Sequence, residues 1–292
     1  MNITFSTEPM QDECGLALSS FSTLEEFRAA LVRVIEAASA GLAIHVSLMP
    51  PVHPSLSIPL AFKEMVDTIR ACRADHLSFS VYLDDEEIVD YLHKYLPAAE
   101  RPSRAYRLNS TQVVLMMGDI TETVADAIVN AANTELKLGG GVSGAIREAA
   151  GSELQYELNR LAASGLIAPG EVVVTQGYGI RSTRYIIHAA TSLGTEEVVR
   201  RGIRNVLRTC DAKGLQSVAF PALGAGSGGL PIDHCARLFR EELTAYLRAG
   251  GSHLDCIVLV LWTKSDFDAI VNVFNPSDQN PTGNEGGATA TD

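Results

Sequence analysis

Residues 125–146 read ADAIVNAANTELKLGGGVSGAI, and their pattern indicates the class of fold. An apolar run, predicted as a strand over about 126–130, ends at the asparagines Asn130 and Asn133. A run of glycines then leads directly into a helix predicted over about 143–162. A strand, a loop and a helix in direct succession indicate an α/β protein.

The same alternation continues on both sides of this stretch. Further strands are predicted at about 104–117, 171–175, 184–189, 217–220 and 256–262, and further helices at about 195–212, 232–248 and 265–274. Strands interleaved with helices in this way indicate a three-layer α/β/α sandwich around a mixed central sheet. Ligands in such folds bind at the carboxyl ends of the strands.

A smaller α/β unit is predicted upstream, with the order helix, strand, helix, strand, helix. Its first helix is expected to open with a capping box made by Ser22 and Glu25. The polar stretch PAAERPS at 97–103 contains two prolines and is predicted to separate the domains. We therefore expect a small N-terminal α/β domain of unknown role (1–103), a main domain (104–274) and a disordered tail without large apolar side chains (275–292).

Two segments of the chain have the same order of predicted elements. Residues 45–96 and 217–274 follow the same order: strand, proline-containing loop, helix, strand ending in an aromatic residue, helix. The first copy lacks the glycines of the second. Two interpretations remain open: the N-terminal domain is a partial relative of the main domain without a site, or two α/β units are alike by coincidence.

Composition and charge limit the classes of function that are expected. The 292 residues are 46% hydrophobic and 20% charged, which is typical of a globular protein. The net charge is -12, with 7 basic and 15 acidic residues in 1–103, 16 and 17 in 104–274, and 0 and 3 in 275–292. This balance disfavours a nucleic-acid partner. The arginines at helical spacing are better explained as a solvated helix face than as a polyanion site; they are Arg200, Arg201, Arg204 and Arg208.

Membrane association and a disulfide framework are not expected. The longest apolar runs, such as 256–262, reach about seven residues, far short of a bilayer span. Residues 1–22 lack the basic and apolar regions of a signal peptide, which predicts a cytoplasmic protein. The five cysteines are scattered without a C-x-x-C pair, which predicts mostly buried, reduced thiols and no thiolate zinc site.

Two glycine-rich loops are the main chemical signal. The run at 138–146 leads into a helix, and four glycines fall within 224–229, again between a strand and a helix. Glycines let the backbone approach a phosphate, and the free N–H groups of a helix start attract anions. Two such loops in one domain indicate a pyrophosphate. Neither loop has the lysine-containing pattern of a P-loop that supports phosphoryl transfer. The G-x-G-x-x-G match at 224–229 lies too late in the chain for a dinucleotide-binding motif, which follows the first strand of its domain.

Polar residues at the strand ends add weaker signals. Asp119 follows an apolar strand and can accept a hydrogen bond from an exocyclic amine such as that of adenine, although this residue by itself favours a turn cap. The side chains of Asn130 and Asn133 can either stabilise the loop through hydrogen bonds to its backbone or donate hydrogen bonds to the hydroxyl groups of a ligand.

Five motifs in order, GDIT (118–121), AIVNAAN (127–133), LGGGVSGAI (138–146), RYIIHAA (184–190) and FPALGAGSGGLP (220–231), resemble the macro domain, an ADP-ribose-binding module. The resemblance covers about residues 104–274. It implies a three-layer α/β/α fold with the ligand in a cleft across the strand ends, and no cofactor or metal ion.

The resemblance also implies roles for particular residues. Asp119 would bind the adenine amine beside Ile120, and Asn133 would contact the distal ribose. The residues expected along that ribose and the pyrophosphate are Gly140, Gly141, Val142, Gly224, Ala225, Gly226, Ser227, Gly228 and Gly229. Trp262, the only tryptophan, would pack against the ligand, with a plain core role as the alternative.

Two departures from the family pattern concern catalysis. Ser143 stands where the most active hydrolase branch has an aspartate, and serine without a partner is a poor general base. Gly228 stands where an aromatic residue is frequent, which is expected to leave the distal-ribose end more open. The chain does not show the pattern of the lysine-adduct branch or of the zinc-bearing branch, and His188 is expected to be a core residue.

The sequence thus predicts an ADP-ribose-binding protein that hydrolyses ADP-ribosyl esters, on mono-ADP-ribosylated protein or O-acetyl-ADP-ribose. Its expected catalytic set is Asn133, Gly141 and Ser143, with the ligand's own pyrophosphate orienting the water. The alternative is a non-catalytic reader of ADP-ribose or of an ADP-ribosylated partner. A third interpretation, an RNA or poly(ADP-ribose) binder, would require salt-sensitive affinity.

Overall fold

The computed structural model describes residues 2–6, 15–38, 43–48, 57–74, 76–83, 86–96, 101–163 and 165–275. They form two sheets, a four-stranded one near the N-terminus and a seven-stranded one after residue 102. We call the two groups of elements built on these sheets the first unit and the second unit.

The first unit is an all-parallel sheet with three helices. Its elements are β1 (Asn2–Ser6), β2 (Gly15–Ala17), α1 (Leu24–Ala37), β3 (Ala43–Ser47), α2 (Ile58–Ala71), β4 (Ser78–Tyr82) and α3 (Glu86–Leu92). The strand order is β1-β4-β3-β2. One hydrophobic cluster, which includes Phe27, Phe62 and Phe79, joins the helices to the sheet.

The second unit is a larger, mixed sheet. Its strands are β5 (Ser103–Leu108), β6 (Thr111–Met117), β7 (Ala125–Ala132), β8 (Val172–Gln176), β9 (Thr183–Ala190), β10 (Ser217–Phe220) and β11 (Cys256–Leu261). Its helices are α4 (Gly141–Ala150), α5 (Ser152–Ala162), α6 (Glu196–Ala212), α7 (Ile232–Arg248) and α8 (Lys264–Phe274). The strand order is β5-β6-β11-β10-β7-β9-β8, with antiparallel pairs at both edges and parallel pairs between them.

Helices cover both faces of the second sheet. Residues of α6, α7 and α8 form one core with the sheet, and residues of α4 and α5 form another. The central strand β11 is therefore buried on both sides, from Ile257 to Leu261. This three-layer arrangement with a mixed sheet confirms the predicted fold class.

Several predicted elements of the second unit needed correction. The single strand predicted at 104–117 is the hairpin β5–β6, because the chain turns at Asn109, whose φ of 55° is left-handed. The single helix predicted at 143–162 is α4 followed by α5. Gly151, with a φ of 86°, ends the first helix and precedes the second.

The first unit also differs from the prediction. The strands β1 and β2 were not predicted, because they are short and partly polar. The capping box is made by Thr23 and Glu26 rather than Ser22 and Glu25, since the helix begins one residue later. The Glu26 backbone N–H donates to Thr23 Oγ1 at 3.2 Å, and Glu26 Oε2 accepts from the backbone N–H groups of Ser22 and Thr23 at 2.9 and 3.3 Å.

The two units share a strand order. The order β1-β4-β3-β2 repeats the central four strands β6-β11-β10-β7, with helices at the same places along the chain. The first unit, as described, has nothing that corresponds to α4, α5, β8 and β9. The repeated topology favours the interpretation of the first unit as a partial relative of the second. The domain boundaries themselves stay a prediction, and residues 276–292 of the predicted tail lie outside the described residues.

Two polar contacts tie the units together. The Ser265 backbone N–H and Oγ, at the start of α8, donate to the Asp90 carboxylate of α3 at 2.7 and 2.6 Å. Arg101 Nε donates to the Leu96 carbonyl at 2.7 Å, and Arg101 Nη2 contacts Glu122 at 3.3 Å.

Surface and thiol predictions can be compared with the structure. Arg200 pairs with Glu196, Glu241 and Glu242, so it is neutralised within the chain. Cys210 and Cys235 are buried and Cys72 and Cys256 are half-buried. All four are free thiols, and Cys14 lies outside the described residues.

Within the described ranges, no helix combines the length and apolarity needed to cross a membrane.

Candidate functional site: a cleft at the strand ends of the second unit

The candidate site lies where the parallel strands of the second sheet end. The loops after β6, β7, β9, β10 and β11 meet at this edge and enclose two connected cavities. The loop cavity, of about 480 Å³, lies between the two glycine-rich loops. The Asp119 cavity, of about 560 Å³, lies beside the end of β6. They share Gly140, Gly141, Val142, Pro221, Gly226, Val260 and Trp262, so they form one cleft.

Asp119 both caps a turn and faces the cleft. Its Oδ1 accepts hydrogen bonds from the backbone N–H and the hydroxyl of Thr121, at 2.8 and 2.7 Å. Those bonds hold the carboxylate at the start of a short 3-10 turn whose first residue, Ile120, is buried. Its Oδ2 remains able to accept a donor from a ligand in the Asp119 cavity.

The first glycine loop presents a helix start to the cleft. Gly141, the first residue of α4, has a φ of 56°, which favours glycine. Among the described atoms, none lies within 4 Å of the place that a Cβ would take on Gly139, Gly140 or Gly141. Gly140 precedes the helix and has no side chain that can cap it. The N–H groups of the first turn are thus left for an anion.

The second glycine loop packs against the loop that follows β9. A Cβ on Gly194 would lie 2.0 Å from the Gly228 carbonyl oxygen, and a Cβ on Gly228 would lie 2.7 Å from Gly194 Cα and 2.5 Å from the Gly224 oxygen. The two backbones therefore cross where only glycines fit. Backbone atoms thus fill the Cβ direction of Gly228, and the expectation that this residue leaves the distal-ribose end more open stays a prediction.

Asn133 lines the loop cavity but is largely engaged in its own loop. Its Oδ1 accepts from the backbone N–H groups of Glu135 and Lys137, at 3.1 and 3.0 Å. Its Nδ2 donates to the Lys137 carbonyl at 2.9 Å. Since an amide has two donors and two acceptor positions, one N–H remains for a ligand. The Asn133 side chain thus stabilises its own loop and can still donate one hydrogen bond to a ligand.

Ser143 is linked to a buried polar chain. Its hydroxyl donates to Asn130 Oδ1 at 2.8 Å, and Asn130 Nδ2 lies 3.1 Å from His188 Nδ1. The His188 Nε2 lies 3.0 Å from the Thr175 hydroxyl. This order makes Nδ1 the acceptor and Nε2 the protonated nitrogen. Because Asn130 stands between them, His188 cannot take a proton from Ser143.

Burial decides the charge of His188. The imidazole is fully buried, and desolvation lowers the pKa of His188 to about 3. It is therefore a neutral core residue at neutral pH, as the sequence predicted. It holds Asn130 and, through it, the start of α4.

Trp262 follows β11 and lines both cavities with about a third of its surface exposed. A residue with a purely core role would be buried, so this position suits contact with a ligand.

The structure brings most predicted site residues together. Gly140, Gly141, Val142, Ser143 and Asn133 line the loop cavity with 224–228 and Trp262, and Asp119 and Ile120 line the Asp119 cavity. Gly229 lines neither; its φ of 72° and its N–H bond to the Gly226 carbonyl shape the loop instead.

Other residues that line the loop cavity were not predicted. The polar ones are Lys137, Thr191, Ser192 and Asp266. Thr191 and Ser192 directly follow β9, so the rule that ligands bind at strand ends could have found them. Lys137 precedes the glycine run and is paired with Glu135.

A metal site does not emerge from the described part of the chain, which holds no group of three or more His, Cys, Asp or Glu side chains placed to bind an ion.

Fold and cleft together define a three-layer α/β/α protein with a cleft at its strand ends that is lined by two glycine-rich loops. The family model of the macro domain matches residues 129–239. An uncharacterized protein of Thermoplasma acidophilum is 36% identical over 154 residues, which is 50% of this chain and 78% of that protein.

Two solved structures are similar as well. The Oceanobacillus iheyensis macrodomain with ADP is 29% identical, with a TM-score of 0.56, over 60% of this chain and 95% of its own. The Trypanosoma brucei macrodomain in complex with ADP-ribose is 29% identical, with a TM-score of 0.52, over 56% of this chain and 69% of its own. The chain belongs to the macro domain family, which confirms the resemblance seen in the sequence.

Proposed function

We propose that the cleft of the second unit binds ADP-ribose and that the protein hydrolyses ADP-ribosyl esters. One observation carries the binding proposal: two glycine-rich loops, the Asp119 carboxylate and the exposed Trp262 line one continuous cleft. Macrodomains similar to this chain were solved with ADP and with ADP-ribose, which supports the same ligand here.

Each part of the ligand finds matching chemistry. The adenine amine would donate to Asp119 Oδ2, with the ring beside Trp262. The pyrophosphate would lie between the helix start at Gly141 and the loop 224–228, where backbone N–H groups offset its charge. The distal ribose would accept the remaining Asn133 N–H.

The proposed reaction adds water to an ester on the distal ribose. In O-acetyl-ADP-ribose, or in a protein whose carboxylate side chain is modified, the ester bond breaks and yields ADP-ribose and the free carboxylic acid. The ligand's own phosphate oxygen would orient the water and accept its hydrogen bond. Positioning and backbone electrostatics would then supply the acceleration.

Ser143 has a small part in this scheme. Its proton is donated inward to Asn130, and no charged side chain contacts its hydroxyl among the described residues. The same observation favours a second candidate, a non-catalytic reader that holds ADP-ribose or an ADP-ribosylated protein. The two candidates share the cleft and differ only in turnover.

Single-turnover release of ADP-ribose from an ester-modified protein separates the candidates. The hydrolase proposal expects release faster than the enzyme-free rate. It also expects Asn133→Ala to slow release by about 10-fold or more. Asn133→Asp keeps an oxygen acceptor for the loop N–H groups but removes both N–H donors and adds a negative charge, so slow release in both variants would assign the effect to the amide of Asn133. Asn159→Ala, an exposed asparagine on α5, is the matched control and should leave the rate unchanged.

The reverse outcomes are equally informative. A wild-type rate equal to the enzyme-free rate leaves the reader as the function. Normal turnover in both Asn133 variants removes Asn133 from the mechanism.

A further inference from the structure

Arg101 lies at the connection between the two units and contacts both. Its Nε donates to the Leu96 carbonyl at 2.7 Å, and its Nη2 donates to Glu122 Oε2 at 3.3 Å. Only 15% of its side chain is exposed, although arginine is ordinarily among the most exposed residues of a protein. Because the guanidinium is a planar group with donors in fixed directions, these two contacts hold it in one orientation.

The acceptor at Leu96 is fixed by the first unit. The Leu96 side chain is buried in the hydrophobic cluster that also contains Phe62 and Phe79. Its backbone N–H donates to the His93 carbonyl at 3.2 Å, which closes a short 3-10 turn. The carbonyl to which Arg101 donates is therefore anchored on the core of the first unit.

The other contacts of Arg101 lie on both sides of Asp119 along the chain. A Cβ on Gly118 would lie 3.0 Å from Arg101 Nη1, so the guanidinium covers the residue just before Asp119. Glu122 is the last residue of the 3-10 turn that Asp119 precedes, and its backbone N–H donates to the Asp119 carbonyl at 3.1 Å. Since Gly118 and Asp119 both line the Asp119 cavity, Arg101 supports the wall of that cavity from behind.

We infer that Arg101 is a positioning residue that holds the Asp119 carboxylate toward the exocyclic amine of the ligand, and that the first unit thereby sharpens base recognition in the second. This inference rests on the proposed function, which pairs that amine with Asp119. Arg101 acts through Gly118 and Glu122 rather than through the ligand. A carboxylate distinguishes a donor from an acceptor only while its direction is held, so loss of Arg101 lowers the discrimination between bases.

Calorimetric titration of the full chain tests the inference with two probes: ADP-ribose, and its inosine analogue, which carries a carbonyl oxygen in place of the amine. In the wild type we expect ADP-ribose to bind about 10-fold more tightly, the size of one charge-assisted hydrogen bond. Arg101→Gln should reduce this ratio of affinities by about 5-fold. The Ser182 hydroxyl donates to the Thr121 carbonyl at 2.6 Å and still holds the turn, so the variant should fold.

Two further variants make the test specific. Arg104→Gln removes an equal charge from an exposed residue of β5 and should keep the wild-type ratio. Glu122→Ala removes an exposed side chain that contacts Arg101 and should lower the ratio by about 2-fold, because exposed ion pairs are weak. This second variant tests the same contact from the side of the turn, whether or not Arg101→Gln folds.

The outcomes separate the positioning role from the function on which it rests. A lower ratio in Arg101→Gln and Glu122→Ala, with the wild-type ratio in Arg104→Gln, supports the inference. An unchanged ratio in a folded Arg101→Gln, or equal losses of affinity for both probes, overturns the positioning role alone. If ADP-ribose does not bind to the wild type, or binds no better than its inosine analogue, the pairing of the amine with Asp119 and this inference fall together.

Discussion

The two sheets of this protein share a strand order and differ in how many layers cover them. In β4 of the first unit, Phe79 and Val81 are buried while the residues between them are half-buried, so one face is covered. In β11 of the second unit, five consecutive residues are buried, because helices cover both faces. Among the described residues, the layer made of α4 and α5 has no counterpart in the first unit.

This difference teaches what a site needs beyond topology. The extra layer brings the glycine run that opens α4, and the loop after β10 adds glycines where the chain backbone is exposed. At the corresponding place after β3, residues 48–57 read LMPPVHPSLS, with three prolines and no glycine. Since proline has no N–H to donate, this sequence offers an anion fewer backbone donors than the two glycine-rich loops do. The same strand order is thus followed by a glycine-lined cleft in the second unit and by a proline-containing sequence after β3 in the first.

The largest expected effect comes from the glycine crossing that shapes the cleft. In Gly228→Ala, the new Cβ would meet backbone atoms of Gly224 and Gly194 at 2.5 and 2.7 Å, so the loop must move. We expect ADP-ribose affinity to fall by about 100-fold and the melting temperature to drop. Calorimetry and thermal unfolding measure the two effects.

Gly226→Ala is the matched control in the same loop, because its Cβ would enter open space among the described atoms. It should melt like the wild type. Equal losses of melting temperature in both variants would contradict the backbone crossing.

The next effect concerns acid stability. Because burial lowers the pKa of His188 from an ordinary value of 6.5 to about 3, the unfolded chain binds a proton here that the folded chain does not. The contribution of His188 to the free energy of unfolding is therefore largest above about pH 6.5. As the pH falls from 6.5 toward 3, that free energy decreases by about 1.4 kcal/mol per pH unit. Denaturant unfolding between pH 7.5 and 4.5 should show this slope in the wild type and a shallower one in His188→Gln.

His253→Gln, which changes an exposed histidine of the same unit, should keep the wild-type slope. If the slope survives in His188→Gln and disappears in His253→Gln, the buried chain from Ser143 to His188 is not the acid-sensitive element.

Local patterns predicted much of the fold and the site, and distant contacts account for the rest. Long apolar strands such as β11 and the glycine runs are visible in the sequence, because burial on both faces and close backbone approach demand those residue types. The strand β2 has only three residues and too little pattern to recognise. The three bonds of Asn133 to residues 135–137 depend on the path of the loop, which no spacing reveals.

A smaller effect is expected at Trp262, the only tryptophan and a residue that lines both the loop cavity and the Asp119 cavity. Trp262→Ala should lower ADP-ribose affinity by about 10-fold, and Trp262→Phe should keep most of it. In the wild type, titration with ADP-ribose should change the tryptophan emission. Tyr156→Ala, an exposed aromatic residue on α5, is the control and should bind normally. Unchanged affinity in Trp262→Ala would assign the residue to a structural role.

The smallest effect is expected at the contact between the units. Asp90 accepts two hydrogen bonds from Ser265 at the start of α8, so Asp90→Ala should cost about 1 kcal/mol of unfolding free energy. Scanning calorimetry should show a lower or split transition. Asp268→Ala, which removes an exposed partner of Lys264, should change little. A larger loss in Asp268→Ala would refute the coupling through Asp90.

Calorimetric titration of ADP-ribose into the full chain and into Asp119→Ala, with AMP as the control ligand, tests whether ADP-ribose binds at the strand ends of the second unit. We predict one site per chain that prefers ADP-ribose to AMP, with affinity reduced at least about 10-fold in the variant. Two sites per chain, or a single site untouched by Asp119→Ala, would contradict the account.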